Sequence, residues 1–174
     1  MEIYLVRHTT PDVAKEVCYG QSDIPLATSF EKEAEKVLKH LPDKIDDVYT
    51  SPLARCMQLA ERIGSGQIIE VPQLKEMHFG NWELQPWSAI PQQELNPWME
   101  DFVSQQVPNG ESMQMLAGRV ISWYNQLTFR PETRIVIITH AGPIRVILSH
   151  VNQTPLQEAF KHYAVDYGEV KQIQ

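Results

Sequence analysis

Cysteine is scarce in this 174-residue chain: Cys18 and Cys56 are its two, and no CxxC pair occurs. That pattern excludes a disulfide framework. No apolar run approaches the roughly 18–20 residues that a membrane-spanning helix needs. The start, MEIYLVRH, has neither the basic segment nor the long apolar stretch of a secretory leader. A soluble, cytoplasmic, reduced protein is expected. Basic runs are missing too: 15 Lys and Arg stand against 22 Asp and Glu, a net charge of −7. This balance argues against nucleic acid or an anionic membrane as partner. It leaves room for an anionic small molecule, because a pocket can be locally positive on an acidic protein. No HxH or HExxH spacing is present, so neither a metal nor another cofactor is expected. Repeats, linkers and low-complexity segments are absent, and one domain over residues 1–174 is the expectation.

What the chain does contain is a succession of short apolar runs and helical patterns. Glu2 to Val6 (EIYLV) is nearly continuous in its apolar character, the signature of a strand buried on both faces. Residues 8–27 show no period and read as loop. Thr28 with Glu31 fits a capping box, and the helix behind it is expected to run to Pro42. Asp47 to Thr50 is a second strand. Ser51-Pro52 then reads as an N-cap with proline at the first helical position. Residues 67–71 form a third strand. PQQELNPWMEDFVSQQ reads as a helix with a proline break, residues 107–110 as a turn, and Met113 to Leu127 as a longer amphipathic helix. Arg134 to Thr139 (RIVIIT) is the most strand-like run, and Ala141-Gly142-Pro143 opens another helix behind it. A short helix near 155–162 follows, and Gln172 to Gln174 either forms part of an edge strand or frays. Strands alternating with helices give an α/β fold with a mostly parallel sheet.

In such sheets ligands bind beyond the carboxyl ends of the strands. Arg7 and His8 follow the first strand, Arg55 lies in the helix after the second, and His140 follows RIVIIT. Two helix N-termini and two arginines converging on one rim would make an anion site. Histidines in that setting offer chemistry as well as binding, since a neutral imidazole is a competent nucleophile.

YLVRHTTP, YTSPLARCMQLA, LKEMHFGNWE and VIITHAGPIR, in this order, resemble the histidine phosphatase superfamily. The resemblance implies the three-layer, phosphoglycerate mutase-like form of the α/β sandwich. LKEMHFGNWE, the stretch at 108–112 and the ending VDYGEV look most like α-ribazole-5′-phosphate phosphatases of cobalamin biosynthesis. The resemblance further implies His8 as the nucleophile that becomes phosphohistidine. It implies Arg7, Arg55 and His140 as holders of the phosphoryl oxygens, and Glu76 as general acid, then base. The implied substrate is a small phosphomonoester and the implied chemistry is metal-free. This chain departs from the family at two points: Thr9 stands where most members have glycine, and no asparagine precedes residue 81. Thr9, Thr10 or Gln21 is the expected replacement for the missing phosphate contact.

Each residue also has a plainer reading. Arg7-His8 alone could be a strand terminus, His140 a structural histidine, and Arg55 the partner of Glu61 or Asp47. Glu83 competes with Glu76, and spacing does not choose between them. Trp82, Trp87 and Trp98 could wall a heterocyclic substrate, with Trp82 the candidate contact, or could pack over the sheet; packing is favoured for Trp98. Three rival functions remain beside α-ribazole phosphate hydrolysis. They are a mutase, a phosphatase for a sugar phosphate, nucleotide or protein, and a phosphate-binding module without catalysis.

Overall fold

Alternation of apolar residues along two parallel strands builds both halves of the core. The computed structural model describes residues 1–128 and 131–173; Gln174 lies outside the described residues. Five strands, β1 (Glu2–Arg7), β2 (Asp47–Thr50), β3 (Gln67–Glu70), β4 (Arg134–Thr139) and β5 (Val170–Ile173), form one sheet in the order β3-β2-β4-β1-β5. The first four strands are parallel, and β5 pairs antiparallel with β1. Ile3, Leu5, Ile135 and Ile137 project to one face, whereas Tyr4, Val6, Val136 and Ile138 project to the other. This period of two makes each of the central strands hydrophobic on both sides.

Helices α1 (Phe30–Leu38) and α2 (Ala54–Ile63) cover the second face through Ala34, Val37, Cys56, Leu59 and Ala60. The first face is covered by α4 (Met113–Tyr124) and α5 (Ala141–Val151), with α3 (Gln92–Glu100) and α6 (Ala159–His162) beyond them. The result is the three-layer α/β sandwich expected from the sequence.

Helix starts differ from the sequence reading. The cap of α1 is Ser29 rather than Thr28, and its hydroxyl donates to Glu33 (2.6 Å) instead of capping the backbone. That helix stops at Leu38, because the next turn tightens into His40 N–H to Val37 and Leu41 N–H to Leu38 bonds. Ser51 does not cap α2; Leu53 does, and the Ser51 hydroxyl is engaged by His140. Helix α3 runs through Pro97 without a break. Its first turn is exposed, so solvent can satisfy the carbonyl that proline leaves without a donor.

Candidate active site

The parallel register sets the site's dimensions. Arg7 lies opposite Thr139, so the next residues, His8 and His140, leave neighbouring strands at the same height. The His8 N–H donates to the Thr139 carbonyl (3.1 Å) and the Ser51 N–H to the Ile138 carbonyl (2.9 Å), which extends the register one step past the strands. The two imidazole rings meet edge to face with centroids 5.0 Å apart. Both histidines are buried, at 1% and 0% exposure.

His8 Nδ1 lies 2.7 Å from the Thr9 carbonyl oxygen. A carbonyl can only accept, so Nδ1 carries the proton and Nε2 keeps a free lone pair. Burial, then the Arg55 cation, push the His8 pKa well below the ordinary imidazole range; the Thr9 bond opposes them, and Arg7 adds to the depression. His140 is pushed down by burial first, then by His8, Arg55 and Arg7. Its Nε2 lies 2.9 Å from the Ser51 hydroxyl and 3.5 Å from Cys56 Sγ. Both imidazoles are therefore neutral at pH 7.

The cations are held by neutral groups. Arg7 Nη1 donates to the Val165 carbonyl (2.7 Å), and its guanidinium lies 3.7 Å from the Tyr167 ring centroid. Arg55 is fully buried and donates to the Ser22 carbonyl (2.8 Å) and the Gly20 carbonyl. No carboxylate among the described residues forms an ion pair with either one. The Nε atoms of both arginines are buried without a hydrogen-bond partner. Such a pair of cations is a standing attraction for an oxyanion.

Helix N-termini play a different part from the one expected. The first N–H of α2, at Ala54, is taken by Asp23 (3.0 Å), and the Gly142 N–H of α5 by Glu76 Oε2 (3.2 Å). The acceptors at both helix ends are carboxyl groups of this chain. Close approach at α5 explains the glycine: a Cβ on Gly142 would sit 2.2 Å from Glu76 Oε1.

Glu76 is braced from several sides. Its Oε1 accepts from the Met77 N–H (2.8 Å), and its carbonyl accepts from Gln21 Nε2 (3.0 Å) and Arg119 Nη2 (2.9 Å). Arg119 also donates to the Gln73 and Lys75 carbonyls and to both oxygens of Glu111. Glu111 in turn accepts from the His78 N–H. Upstream of this segment, the buried Thr139 hydroxyl donates to the Leu74 carbonyl (2.6 Å).

A cleft of about 210 Å³ opens onto His8 and Glu76, with Arg7, Tyr19, Phe79, Trp87 and Tyr167 among its walls. The Tyr19 and Tyr167 hydroxyls bond to each other at 2.6 Å. Burial pushes the Tyr19 phenol up, with the Tyr167 bond adding to it. Arg55 and His140 do not line this cleft; they are buried behind it, where Arg55 lies 5.5 Å from the Tyr19 ring centroid.

Three expected contacts land elsewhere. Trp82 is 1% exposed and donates from its indole to Glu94 (2.9 Å); it meets Trp87 edge to face at 6.4 Å and does not line the cleft. Gln21 braces the Glu76 backbone, as above, and is not on the cleft wall. Thr10 spends both its N–H and its hydroxyl on Glu33. Thr9 differs, for its buried hydroxyl has no partner. Sequence reasoning missed Tyr167 and Arg119, and it weighed Glu83 only as a rival acid to Glu76, not as the anchor of the 20–22 loop. Their partners lie 148 residues away for Tyr167 and 61 for the Glu83–Ser22 bond, so no local pattern could reveal them.

The sequence profile of the histidine phosphatase superfamily, branch 1, matches residues 3–174. The chain belongs to that superfamily. Among curated relatives, the "Probable phosphoglycerate mutase GpmB" of Proteus mirabilis (strain HI4320) is 30% identical over 166 residues, covering 89% of this chain and 76% of that protein. The "Adenosylcobalamin/alpha-ribazole phosphatase" of Escherichia coli (strain K12) is 27% identical over 177 residues, covering 97% and 87%. In fold, the solved α-ribazole phosphatase from Shigella flexneri superposes with a TM-score of 0.86 at 24% identity, over 100% of this chain and 90% of that one. The architecture is thus that of the phosphoglycerate mutase-like histidine phosphatases.

Proposed function

We propose that this superfamily member is a metal-independent phosphomonoesterase that works through a phosphohistidine on His8. The observation that carries the reading is the Nδ1–H bond from His8 to Thr9, which leaves a neutral Nε2 lone pair beside two arginines without carboxylate partners. In the first step Nε2 attacks phosphorus and the ester P–O bond breaks. Glu76 gives its proton to the departing oxygen. In the second step the Glu76 carboxylate takes a proton from water, the water oxygen attacks phosphorus and the P–N bond breaks. Inorganic phosphate leaves and His8 is restored. Arg7 and Arg55 neutralise charge on the transferring group, the neutral His140 ring can donate an N–H toward it, and the Thr9 hydroxyl is free to take one of its oxygens. Two in-line displacements give net retention at phosphorus.

For the substrate we infer α-ribazole 5′-phosphate, hydrolysed to α-ribazole. Support comes from the 27% identical E. coli relative named for that activity and from the aromatic walls around the cleft. The test is turnover of the purified protein, with chelator present, on α-ribazole 5′-phosphate and a panel of sugar phosphates, nucleotides, phosphoserine and 3-phosphoglycerate. His8→Ala is the control, and acid-labile label on the protein is followed after a rapid quench. Selective turnover with label lost in His8→Ala is expected. Mutase activity on 3-phosphoglycerate, or label that persists without His8, would overturn the proposal.

A further inference from the structure

A second cavity lies on the far flank of Glu76. It is lined by Glu76, Phe79, Trp98, Phe102, Arg145 and Phe160, with further apolar side chains behind them, and holds about 120 Å³. Glu76 and Phe79 also line the cleft over His8, so these two side chains form the partition between the spaces. Cavities of roughly 150 Å³ with apolar walls accept a benzene-sized ring. The rings here already meet edge to face, Trp98 with Phe102 at 6.4 Å and Phe102 with Phe160 at 5.2 Å. Arg145 closes one side. Its Nε donates to the Tyr163 carbonyl (3.1 Å) and its guanidinium lies 4.4 Å from the Phe160 ring centroid. Phe160 itself is 53% exposed and forms the outer edge of the cavity.

In-line displacement fixes where the alcohol must go. The leaving oxygen departs on the side of phosphorus opposite His8 Nε2, and the acid that protonates it must be adjacent. Everything attached to that oxygen then passes Glu76. We infer that this second cavity is the leaving-group subsite, and that it takes a flat unsaturated ring carried by the alcohol, covered by Phe160 and stacked near the Arg145 guanidinium. The inference rests on the phosphatase reading above and adds to it a location and a selectivity. Arg145 suits the role because a guanidinium offers a flat face and free N–H donors to a heterocycle.

The test compares 2-phenylethyl phosphate with propyl phosphate, two esters whose leaving alcohols demand similar protonation. We expect kcat/KM to favour the ring ester by about 10–100-fold. Phe160→Ala, with its folding checked by thermal melt, should cut that ratio at least threefold. Equal turnover of the two esters overturns the subsite and leaves the phosphatase intact. A ring preference unchanged in Phe160→Ala also overturns it, since the ring then sits elsewhere. Should neither model ester turn over, the phosphatase reading is decided by the substrate panel above, and titration with benzimidazole decides the cavity by itself. Saturable quenching of tryptophan fluorescence that Phe160→Ala abolishes supports the subsite; quenching that does not saturate overturns it.

Discussion

A carbonyl oxygen 2.7 Å from an imidazole nitrogen selects one tautomer, and at His8 that choice leaves the lone pair on Nε2, the proposed nucleophile. The two candidate carboxylates separate on the same kind of local evidence. Glu83 accepts from the N–H groups of Gly20, Gln21, Ser22 and Phe79 and from the Ser22 hydroxyl. Burial pushes its carboxyl up, but these donors outweigh it and hold the pKa below the usual carboxylate range. A carboxylate so committed has no proton to give. Glu76 borders both cavities and has two backbone donors. Glu76→Gln is therefore expected to lower kcat about 10²–10⁴-fold on alkyl phosphates and far less on p-nitrophenyl phosphate, whose leaving group needs no proton. Equal losses on both esters would assign Glu76 another role.

At the scale of elements, Glu83 acts on Arg55 through a loop. It gathers residues 20–22, whose carbonyls at Gly20 and Ser22 hold the Arg55 guanidinium. Gly20 is required there, because a Cβ would fall 2.0 Å from the Met77 carbonyl oxygen. Glu83→Gln places an N–H₂ against donors that need an acceptor, and each buried donor left unsatisfied costs about 1–3 kcal/mol. The expected outcome is a lower Tm together with weaker phosphate binding, read as an increase of roughly tenfold or more in the inhibition constant of orthophosphate. An unchanged inhibition constant beside a lowered Tm would make the loop merely structural. The strands and the ordered site blocks were legible in sequence because buried strands are apolar runs and the site sits at their carboxyl ends. Ser51 misled as a helix cap because its hydroxyl serves His140, a partner 89 residues away. The bracing of Glu76 by Arg119 and Glu111 was hidden for a similar reason, since Arg119 reaches carbonyls 43 to 46 residues distant.

For the whole molecule, two buried neutral histidines make stability depend on pH. Their folded-state pKa values lie well below 6.5, so below that pH the unfolded chain binds protons that the folded chain refuses. Stability is then full above the ordinary imidazole range and falls on acidification, by up to about 1.4 kcal/mol per pH unit for each histidine, until the folded values are reached. The carboxylates held low by hydrogen bonds, Glu83 and Glu111, add a second loss only as pH falls below about 4.5. Urea unfolding at pH 7.5 and 5.5 should show the first loss, and His8→Gln should reduce it. An equal loss in that variant would remove His8 from the account.

The two arginines without carboxylate partners have a thermodynamic meaning as well as a chemical one. Two guanidinium groups held by neutral carbonyls, with both Nε atoms lacking an acceptor, have donors to spare for an anion. Orthophosphate should therefore act as a missing structural part, adding about 2.7 kcal/mol of stability at one hundred times its dissociation constant. For a chain of this size that corresponds to a Tm rise of roughly 5–11 °C. Chloride at matched ionic strength should give little of it, and Arg55→Met should abolish most of it. The site over His8 would thus serve stability as well as chemistry, because the anion that binds there also satisfies guanidinium groups held by neutral carbonyls.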